Sequence, residues 1–203
     1  MESVTVYFID IDSVKDKEEY LYSVLPPSRT EKAKRFAFYQ DKALSLAAGY
    51  LVYRVIGGYF VDPCGKPRAE NVYFSISHSG QFAALAVSEK SEIGLDIEAL
   101  RDKDTEALAR HCLNDGELLS YRAGTEFLSL FTAKESLAKA DGAGLTVEMK
   151  SIPALPMDGA VKYKGKNYFR HTFLWAGYFT SVTKEGEDFS IKTEILRVDS
   201  ENG

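Results

Sequence analysis

Hydrophobic residues recur along the chain at two spacings, one typical of helices and one typical of strands. The order of these stretches predicts a mixed α/β protein. A spacing of three and four residues predicts helices over residues 15–25, 31–56 and 126–140, with short helical segments between residues 105 and 121. Pro26 and Pro27 end the first helix because proline breaks the hydrogen-bond ladder, and glycines follow the other two long helices.

Apolar residues at every second position predict strands before, between and after the helices. The predicted strands cover residues 4–11, 72–77, 82–88, 94–98, 160–163, 168–174, 177–183 and 189–196. The polar turn sequences G-K-N and E-G-E-D join strands of the last group as hairpins. No linker or low-complexity segment interrupts this order.

Composition narrows the class of protein. The chain has 203 residues, 45% of them hydrophobic, which suffices for one substantial core or two small ones. Its net charge of −5 argues against a general nucleic-acid binder. No apolar run approaches the ~20 residues of a membrane span, and Cys64 and Cys112 lack the spacing of a zinc or disulfide motif. We therefore expect a cytoplasmic protein that binds neither nucleic acid nor membrane.

An aspartate and a glutamate stand two residues apart in the segment I-G-L-D-I-E at 93–98. In a strand, Asp96 and Glu98 point to the same side, with Cα atoms roughly 6.5 Å apart. They could share one Mg²⁺, since this ion usually takes one or two protein carboxylates and leaves its other positions to water and phosphate. The alternative is a solvated strand edge, which is the commoner role of an isolated pair.

A second motif, F-T-A-K-E-S-L-A-K at 131–139, follows about 40 residues later. Its Glu135 and Lys139 share a helix face, four residues apart, which is also the spacing of an ordinary ion pair. Lys134 instead falls within the apolar stripe of this helix, where an ammonium group carries a desolvation cost. We expect Lys134 to line an anion-binding cleft; the alternative is a structural ion pair.

One stretch runs against the negative average charge. Residues 29–42 contain five basic and two acidic side chains, a local balance of +3. Such a patch would concentrate a phosphate-bearing ligand without attracting nucleic acid broadly. It could equally be the solvated face of a helix. The five basic residues are Arg29, Lys32, Lys34, Arg35 and Lys42.

Motifs in a fixed order resemble the 4′-phosphopantetheinyl transferases, specifically the larger type related to surfactin-synthetase activators. The order is G-K-P at 65–67, F-S-I-S-H-S at 74–79, G-L-D-I-E at 94–98 and F-x-x-K-E-S-x-x-K-x-x-G-x-G-L at 131–145. Each motif alone is weak, but the combination is highly specific. The matching stretch runs from about residue 25 to residue 145, and the C-terminal part matches only in its strand-rich character.

The resemblance implies a monomer built as a pseudo-dimer of two similar α+β halves, each a small antiparallel sheet packed with a long helix. Residues 1–100 would hold the nucleotide of coenzyme A (CoA) and the first metal carboxylates. Residues 101–203 would supply the helix with Glu135 and the remaining strands. No internal repeat in the sequence shows this division independently.

The resemblance also implies the reaction, which is transfer of the 4′-phosphopantetheine arm of CoA to a serine of an apo acyl or peptidyl carrier protein. Adenosine 3′,5′-bisphosphate would be released. Asp96, Glu98 and Glu135 would bind Mg²⁺, and Glu135 is the candidate for deprotonating the carrier serine. Lys139 would meet the pyrophosphate and the leaving oxygen. The candidate catalytic residues are therefore Asp96, Glu135 and Lys139.

The resemblance also implies which residues bind CoA. Arg29 and Lys32 fall where the family contacts the 3′-phosphate. Where relatives carry an arginine in the following helix, this chain has Leu44 or Ser45, and Lys42 is the nearest basic residue. The other candidates are Gly65, Lys66 and Pro67 for the adenine, largely through main-chain atoms, Ser77 and His78 for the nucleotide phosphates, and Lys134 and Lys139 for the pyrophosphate. Taken alone, G-K-P is compatible with a simple turn, and a single histidine is more often structural.

Two other functions stay open at this point. A metal-dependent phosphohydrolase would also use the acids and Lys139, but it does not account for the G-K-P and S-H elements. A non-catalytic module that binds CoA or a carrier protein gives no role to the three acids and the two motif lysines. The sequence identifies neither the carrier nor the tolerance for acyl-CoA. Our candidate docking surface follows Glu98 and comprises Arg101, Lys103 and Arg110 beside Leu113, Leu118 and Leu119, although these leucines can equally be core residues.

Overall fold

The computed structural model describes residues 2–62, 66–101, 104–142 and 148–199. Its strands are β1 (Glu2–Asp10), β2 (Phe60–Val61), β3 (Pro67–Arg68), β4 (Tyr73–Ser79), β5 (Phe82–Ser88), β6 (Ile93–Ala99), β7 (Gly159–Tyr163), β8 (Lys166–Trp175), β9 (Tyr178–Glu185) and β10 (Phe189–Leu196). Its helices are α1 (Glu18–Val24), α2 (Pro27–Lys34), α3 (Tyr39–Val55), α4 (Glu106–Cys112), α5 (Asp115–Arg122) and α6 (Phe127–Asp141). Gly65 and Lys103, both named above as candidates, lie outside the described residues.

Two four-stranded sheets form the frame of the molecule, in the orders β10-β1-β5-β4 and β6-β9-β8-β7, and β2 pairs with β3 in a separate short hairpin. The second sheet is antiparallel throughout, as predicted. The first sheet is mixed, because β10 pairs with β1 in parallel. β10 follows β9 of the other sheet, so no hairpin constrains it to run antiparallel to β1.

Each sheet takes one strand from the other part of the chain. β6 belongs to the first hundred residues but forms an edge of the second sheet, whereas β10 returns from the C-terminal part to the edge of the first sheet. The sheets therefore do not divide at residue 100, where the resemblance led us to place a boundary.

One long helix packs on each sheet, which confirms the mixed α+β architecture. Leu46 and Leu51 of α3 share a buried cluster with Phe74 and Leu85 of the first sheet. On the other side, α6 lies against β6 and β9 of the second sheet. Among the described residues, no helix combines the length and the apolar character that a bilayer span needs.

The single helix predicted over residues 31–56 is wrong, because α2 and α3 occupy this stretch. Phe38 has an extended backbone, with φ −103° and ψ 140°, and precedes the first residue of α3. Pro27 also begins α2, since the missing N–H of proline is not needed in the first turn of a helix. Phe36 lies three residues after Ala33 and continues the apolar spacing that predicts this helix, but Phe36 is exposed, as is Phe38.

The backbone of β6 touches the backbone of α6 at Gly94. A Cβ atom at this position would lie 1.9 Å from the carbonyl oxygen of Ser136 and 2.5 Å from the nitrogen of Ala140. The hydroxyl of Ser136 also bonds to Ser181 and Thr183 of β9, at 2.9 and 2.7 Å. This contact fixes the distance between the strand with the D-x-E motif and the helix with Glu135.

Candidate active site

β6 and α6 bring the predicted acidic residues together. Lys139 of α6 donates hydrogen bonds to Asp96 Oδ1 at 2.7 Å and to the Leu95 carbonyl at 3.0 Å. Burial raises the pKa of Glu135, and the charges of Asp96 and Glu98 raise this pKa further. The three carboxylates therefore lie within electrostatic reach of one another, with Lys139 among them.

Asp96 has one carboxylate oxygen without a partner. Oδ1 accepts hydrogen bonds from Lys139 and Ser77, while Oδ2 is buried and has no hydrogen-bond partner among the described residues. Burial also raises the pKa of Asp96, because the charged form loses its water. A divalent cation would offset both penalties, and carboxylate oxygens are ligands that suit Mg²⁺.

The acids do not form a closed metal cage. Within the described ranges, no group of three histidine, cysteine, aspartate or glutamate side chains is arranged to hold a metal ion by itself. Mg²⁺ commonly takes only one or two protein carboxylates and completes its shell with water and substrate phosphates. Asp96, Glu98 and Glu135 fit such an open site better than a closed one.

Three serines of β4 join the two sheets beside these acids. The hydroxyls of Ser75, Ser77 and Ser79 accept the N–H groups of three β6 residues, Leu95, Ile97 and Ala99, at 3.0, 3.3 and 3.2 Å. Ser77 in turn donates to Asp96 and Ser79 to Glu98, both at 2.8 Å. The serine side chains thus replace the missing backbone ladder between β4 and β6 and orient both carboxylates. Contact of Ser77 with a nucleotide, as the motif implies, stays a prediction.

His78 lies where several positive charges converge. Its side chain is solvent-accessible, yet the surrounding protein lowers its pKa by desolvation. The charges of Lys139, Lys32 and Arg29 lower this pKa further, in that order. These side chains come from β4, α6 and α2, so the fold gathers the predicted phosphate contacts around one surface. A histidine that stays neutral here can donate or accept a hydrogen bond.

The basic stretch is only partly available to a ligand. Arg29 packs against Gly49 and donates a hydrogen bond to the Tyr59 hydroxyl at 3.2 Å. Lys42, the nearest basic substitute for the family's missing arginine, pairs with Glu18 at 2.8 Å. The alternative positions, Leu44 and Ser45, are both buried. Arg29 and Lys32 therefore remain the candidates for a 3′-phosphate.

Sequence comparison identifies the family. The family model of the 4′-phosphopantetheinyl transferase superfamily matches residues 92–193, half of the chain. The chain belongs to this superfamily. The matched range includes β6 and α6, which carry the acids and Lys139.

Curated relatives carry the same activity in their names. The chain is 28% identical over 175 residues to 4′-phosphopantetheinyl transferase Sfp of Bacillus subtilis strain 168, covering 76% of this chain and 77% of Sfp. It is 27% identical over 182 residues to 4′-phosphopantetheinyl transferase HetI of Nostoc sp. strain PCC 7120, with coverage of 76% and 77%. With 4′-phosphopantetheinyl transferase ffp of Bacillus subtilis, it shares 27% identity over 91% of this chain and 93% of the relative. The resemblance to the larger, Sfp type and the prediction of a phosphopantetheinyl transferase are confirmed.

The placement of Lys134 in an anion-binding cleft of this transferase is corrected by the structure. Lys134 is fully buried and pairs with Glu117 at 2.6 Å. Its Nζ also donates to the carbonyls of Met149 and Ile152. Burial lowers the pKa of Lys134, and Glu117 opposes this shift. The ammonium group has its partners inside the protein, so Lys134 takes the structural alternative that the sequence left open.

Glu117 and Arg170 complete a buried polar cluster that the sequence did not reveal. Glu117 accepts the N–H groups of Asn114 and Ala154, at 2.9 and 2.7 Å, besides its bond to Lys134. Arg170 is fully buried and donates to the carbonyls of Pro153, Ala154 and Pro156. The N-x-x-E spacing of Asn114 and Glu117 was the available signal, since it matches a capping box. That signal places Glu117 at a helix start, but not beside Lys134.

The predicted carrier-docking segment of the transferase is only partly a surface. Leu113 is buried, whereas Leu119 is exposed over 68% of its surface. Arg101 pairs with Glu98 at 2.6 Å, and Arg110 pairs with Glu106 at 2.7 Å. A cavity of about 290 Å³ opens beside this segment. It is lined by Glu98, Arg101, Asp104, Thr105, Leu108, Phe127, Leu128 and Phe131.

Proposed function

We propose that the chain transfers the 4′-phosphopantetheine arm of CoA to a serine hydroxyl of an apo carrier protein in a Mg²⁺-dependent reaction. The seryl oxygen bonds to the β-phosphorus of CoA, and the bond from this phosphorus to the bridging oxygen breaks. Adenosine 3′,5′-bisphosphate leaves with the bridging oxygen, and the seryl proton passes to a base on the protein. The observation that carries the proposal is the convergence of three carboxylates with Lys139, His78, Arg29 and Lys32.

Each of these side chains has a role that its surroundings support. Arg29, Lys32 and His78 bind the nucleotide phosphates, because their charges and hydrogen-bond donors lie around one surface. Lys139 lies beside Asp96 and stabilises the charge that develops on the leaving oxygen. Glu135 lies within electrostatic reach of Asp96 and Glu98 and serves as the base for the seryl proton, directly or through a water.

Asp96, Glu98 and Glu135 would hold the Mg²⁺. When bound, this ion neutralises the charge of the phosphate oxygens during phosphoryl transfer. Ser77 and Ser79 donate hydrogen bonds to Asp96 and Glu98 and would orient these two carboxylates as ligands.

One assay separates this proposal from its rivals. The protein is incubated with CoA, Mg²⁺ and an apo carrier protein, and the intact mass of the carrier and the released nucleotide are followed. We expect the carrier to gain one phosphopantetheine group, with one nucleotide released per transfer. A carrier with alanine in place of its modified serine, and a reaction with chelator, are the controls. Nucleotide release without a change in carrier mass would indicate a phosphohydrolase, and binding without turnover would indicate a non-catalytic module.

A further inference from the structure

The side chain of Lys66 reaches the end of α6. Its Nζ donates hydrogen bonds to the carbonyls of Lys139, at 2.7 Å, and Ala140, at 3.3 Å. It also pairs with Glu92 at 2.7 Å, and only 11% of the side chain is exposed. An ammonium group held by these three acceptors is directed into the protein.

These two carbonyls belong to the last turn of α6, where a helix leaves its C=O groups without intrahelical partners. Gly142 ends the helix with φ +75°, and its N–H bonds to Ala138. A positive charge at this end also complements the negative end of the helix dipole. Lys66 therefore caps the helix that carries Glu135 and Lys139, although it lies 73 residues before Lys139 in the chain.

The backbone of Lys66 is held within the β2–β3 hairpin. The N–H of Lys66 donates to Asp62 Oδ1 at 2.9 Å. Arg68 pairs with Asp62 at 3.0 Å and also with Glu92, just before β6. The hairpin, the start of β6 and the end of α6 thus form one hydrogen-bonded unit, and a ligand bound at the hairpin would act on all three.

We propose that Lys66 is a positioning residue that couples nucleotide binding at the β2–β3 hairpin to the position of Lys139. The nucleotide rests on the proposed function, and its place at the hairpin is the one that the family resemblance implies for the G-K-P segment. Lys66 holds the backbone of the same residue whose Nζ contacts Asp96, so a shift of the helix end moves that Nζ relative to the acids. A simple surface ion pair would use Glu92 alone, and it would leave the helix carbonyls free.

Three variants test this coupling. Lys66→Met removes the ammonium group and keeps an apolar stem, whereas Lys66→Arg keeps a charged donor with a different shape. Lys164→Met is the matched control, because Lys164 pairs with the side chain of Asp141 at the same end of α6, at 2.7 Å. Hydrogen exchange of the α6 amides is measured with and without adenosine 3′-phosphate. This probe lacks the pyrophosphate that would contact the metal carboxylates directly.

We expect the nucleotide to slow exchange at the end of α6 in the parent and in Lys164→Met, but not in Lys66→Met. In the transfer assay, Lys66→Met should lower kcat by about tenfold or more, with a smaller change in KM, because a displacement of a catalytic group by about 1 Å can cost up to about 100-fold in rate. Lys66→Arg should give intermediate values in both measurements, and it carries the test should Lys66→Met fail to fold.

Nucleotide protection that is the same in Lys66→Met and in the parent would overturn the coupling, as would a parent whose α6 shows no protection at all. The two proposals fail separately. If the parent transfers the arm and protection in Lys66→Met is unchanged, the coupling is wrong and the proposed function stands. If the parent shows protection but no transfer, and Lys66→Met loses the protection, the proposed function is wrong and the coupling stands.

Discussion

At the scale of single residues, two carboxylates of this transferase, Asp96 and Glu135, lie in surroundings that disfavour their charged forms. Asp96 is buried, its Oδ2 has no hydrogen-bond partner in the described part of the chain, and burial raises its pKa. Burial and the neighbouring acids raise the pKa of Glu135. If these groups bind Mg²⁺ as proposed, stability and metal binding are linked through the protonation of the same groups.

We expect the metal-free protein to lose stability as the pH rises from about 4 through the raised pKa values of Asp96 and Glu135. A folded-state pKa above the unfolded value means that folding favours the protonated form. The stability supplied in this way is complete below the ordinary pKa values and lost above the raised ones. Thermal melts against pH in the presence of chelator measure the effect. Asp96→Asn should show a smaller loss and melt above the parent near neutral pH; identical profiles would contradict the assignment.

The buried pair of Lys134 and Glu117 gives a second prediction. Lys134→Met should lower the free energy of unfolding by about 3–5 kcal/mol, because it leaves the Glu117 carboxylate buried without its cation. Adding Glu117→Gln, which removes the charge and keeps an acceptor oxygen for Ala154, should recover most of this loss. Urea denaturation of the two single variants and the double variant measures the coupling. A Lys134→Met protein as stable as the parent would show that the pair is not structural.

At the scale of elements, the contact between β6 and α6 determines where the acids lie. Gly94→Ala should destabilise the protein by about 3 kcal/mol or more, because the new Cβ would overlap backbone atoms of α6 that cannot move as a side chain can. Gly116→Ala, in the first turn of α5, is the control, since among the described residues its Cβ would meet only Asn114 Oδ1, at 3.5 Å. Alanine in a helix should raise stability there by about 0.5–1 kcal/mol. Denaturant melts compare the two, and equal effects would rule out the close backbone contact.

The serines that join β4 to β6 allow a structural role to be tested separately from a role in metal binding. Ser75 and Ser79 each accept a backbone N–H of β6, but only Ser79 also donates to a carboxylate, that of Glu98. Both Ser→Ala variants should lose about 1–3 kcal/mol, because each leaves a buried N–H without its acceptor. Only Ser79→Ala should also weaken Mn²⁺ binding, by about tenfold, since Glu98 loses its orienting donor. Titration calorimetry distinguishes the two, and equal Mn²⁺ affinities would remove Ser79 from the site.

Most elements could be predicted from local sequence. The strands found at Phe82–Ser88 and Phe189–Leu196 have the predicted bounds, and α6 lies within one residue of its prediction. The break between α2 and α3 was missed, because Phe36 lies at helical spacing from Ala33 although its side chain is exposed. Periodicity shows which residues can be buried together, but not whether another part of the chain covers them.

At the scale of the whole molecule, an acidic protein gathers positive charge at one surface. The net charge is −5, yet the positive charges of Lys139, Lys32 and Arg29 all lower the pKa of His78. Replacing Arg29 and Lys32 by alanine should raise KM for CoA far more than KM for 3′-dephospho-CoA, because the lost cations are assigned to the 3′-phosphate. Added salt should weaken CoA binding in the parent in the same direction. Equal changes for the two substrates would mean that these side chains are only a solvated helix face.

The sequence by itself determined which residues are candidates for the site and most of the elements that carry them. The D-x-E pair, Glu135 and Lys139 could be read directly, because an alternating strand and a helix with a fixed turn place residues near in sequence on known faces. The order of the motifs was enough to indicate the transferase family.

The tertiary structure alone decided how these groups are paired and charged. It places Lys134 against Glu117, Lys66 at the end of α6, and the serines of β4 against β6. It also places β10 in parallel beside β1. All these partners are distant in sequence, and only packing brings them into contact. Burial by the same packing sets the pKa of Asp96, because the desolvation of a charge depends on everything that surrounds it.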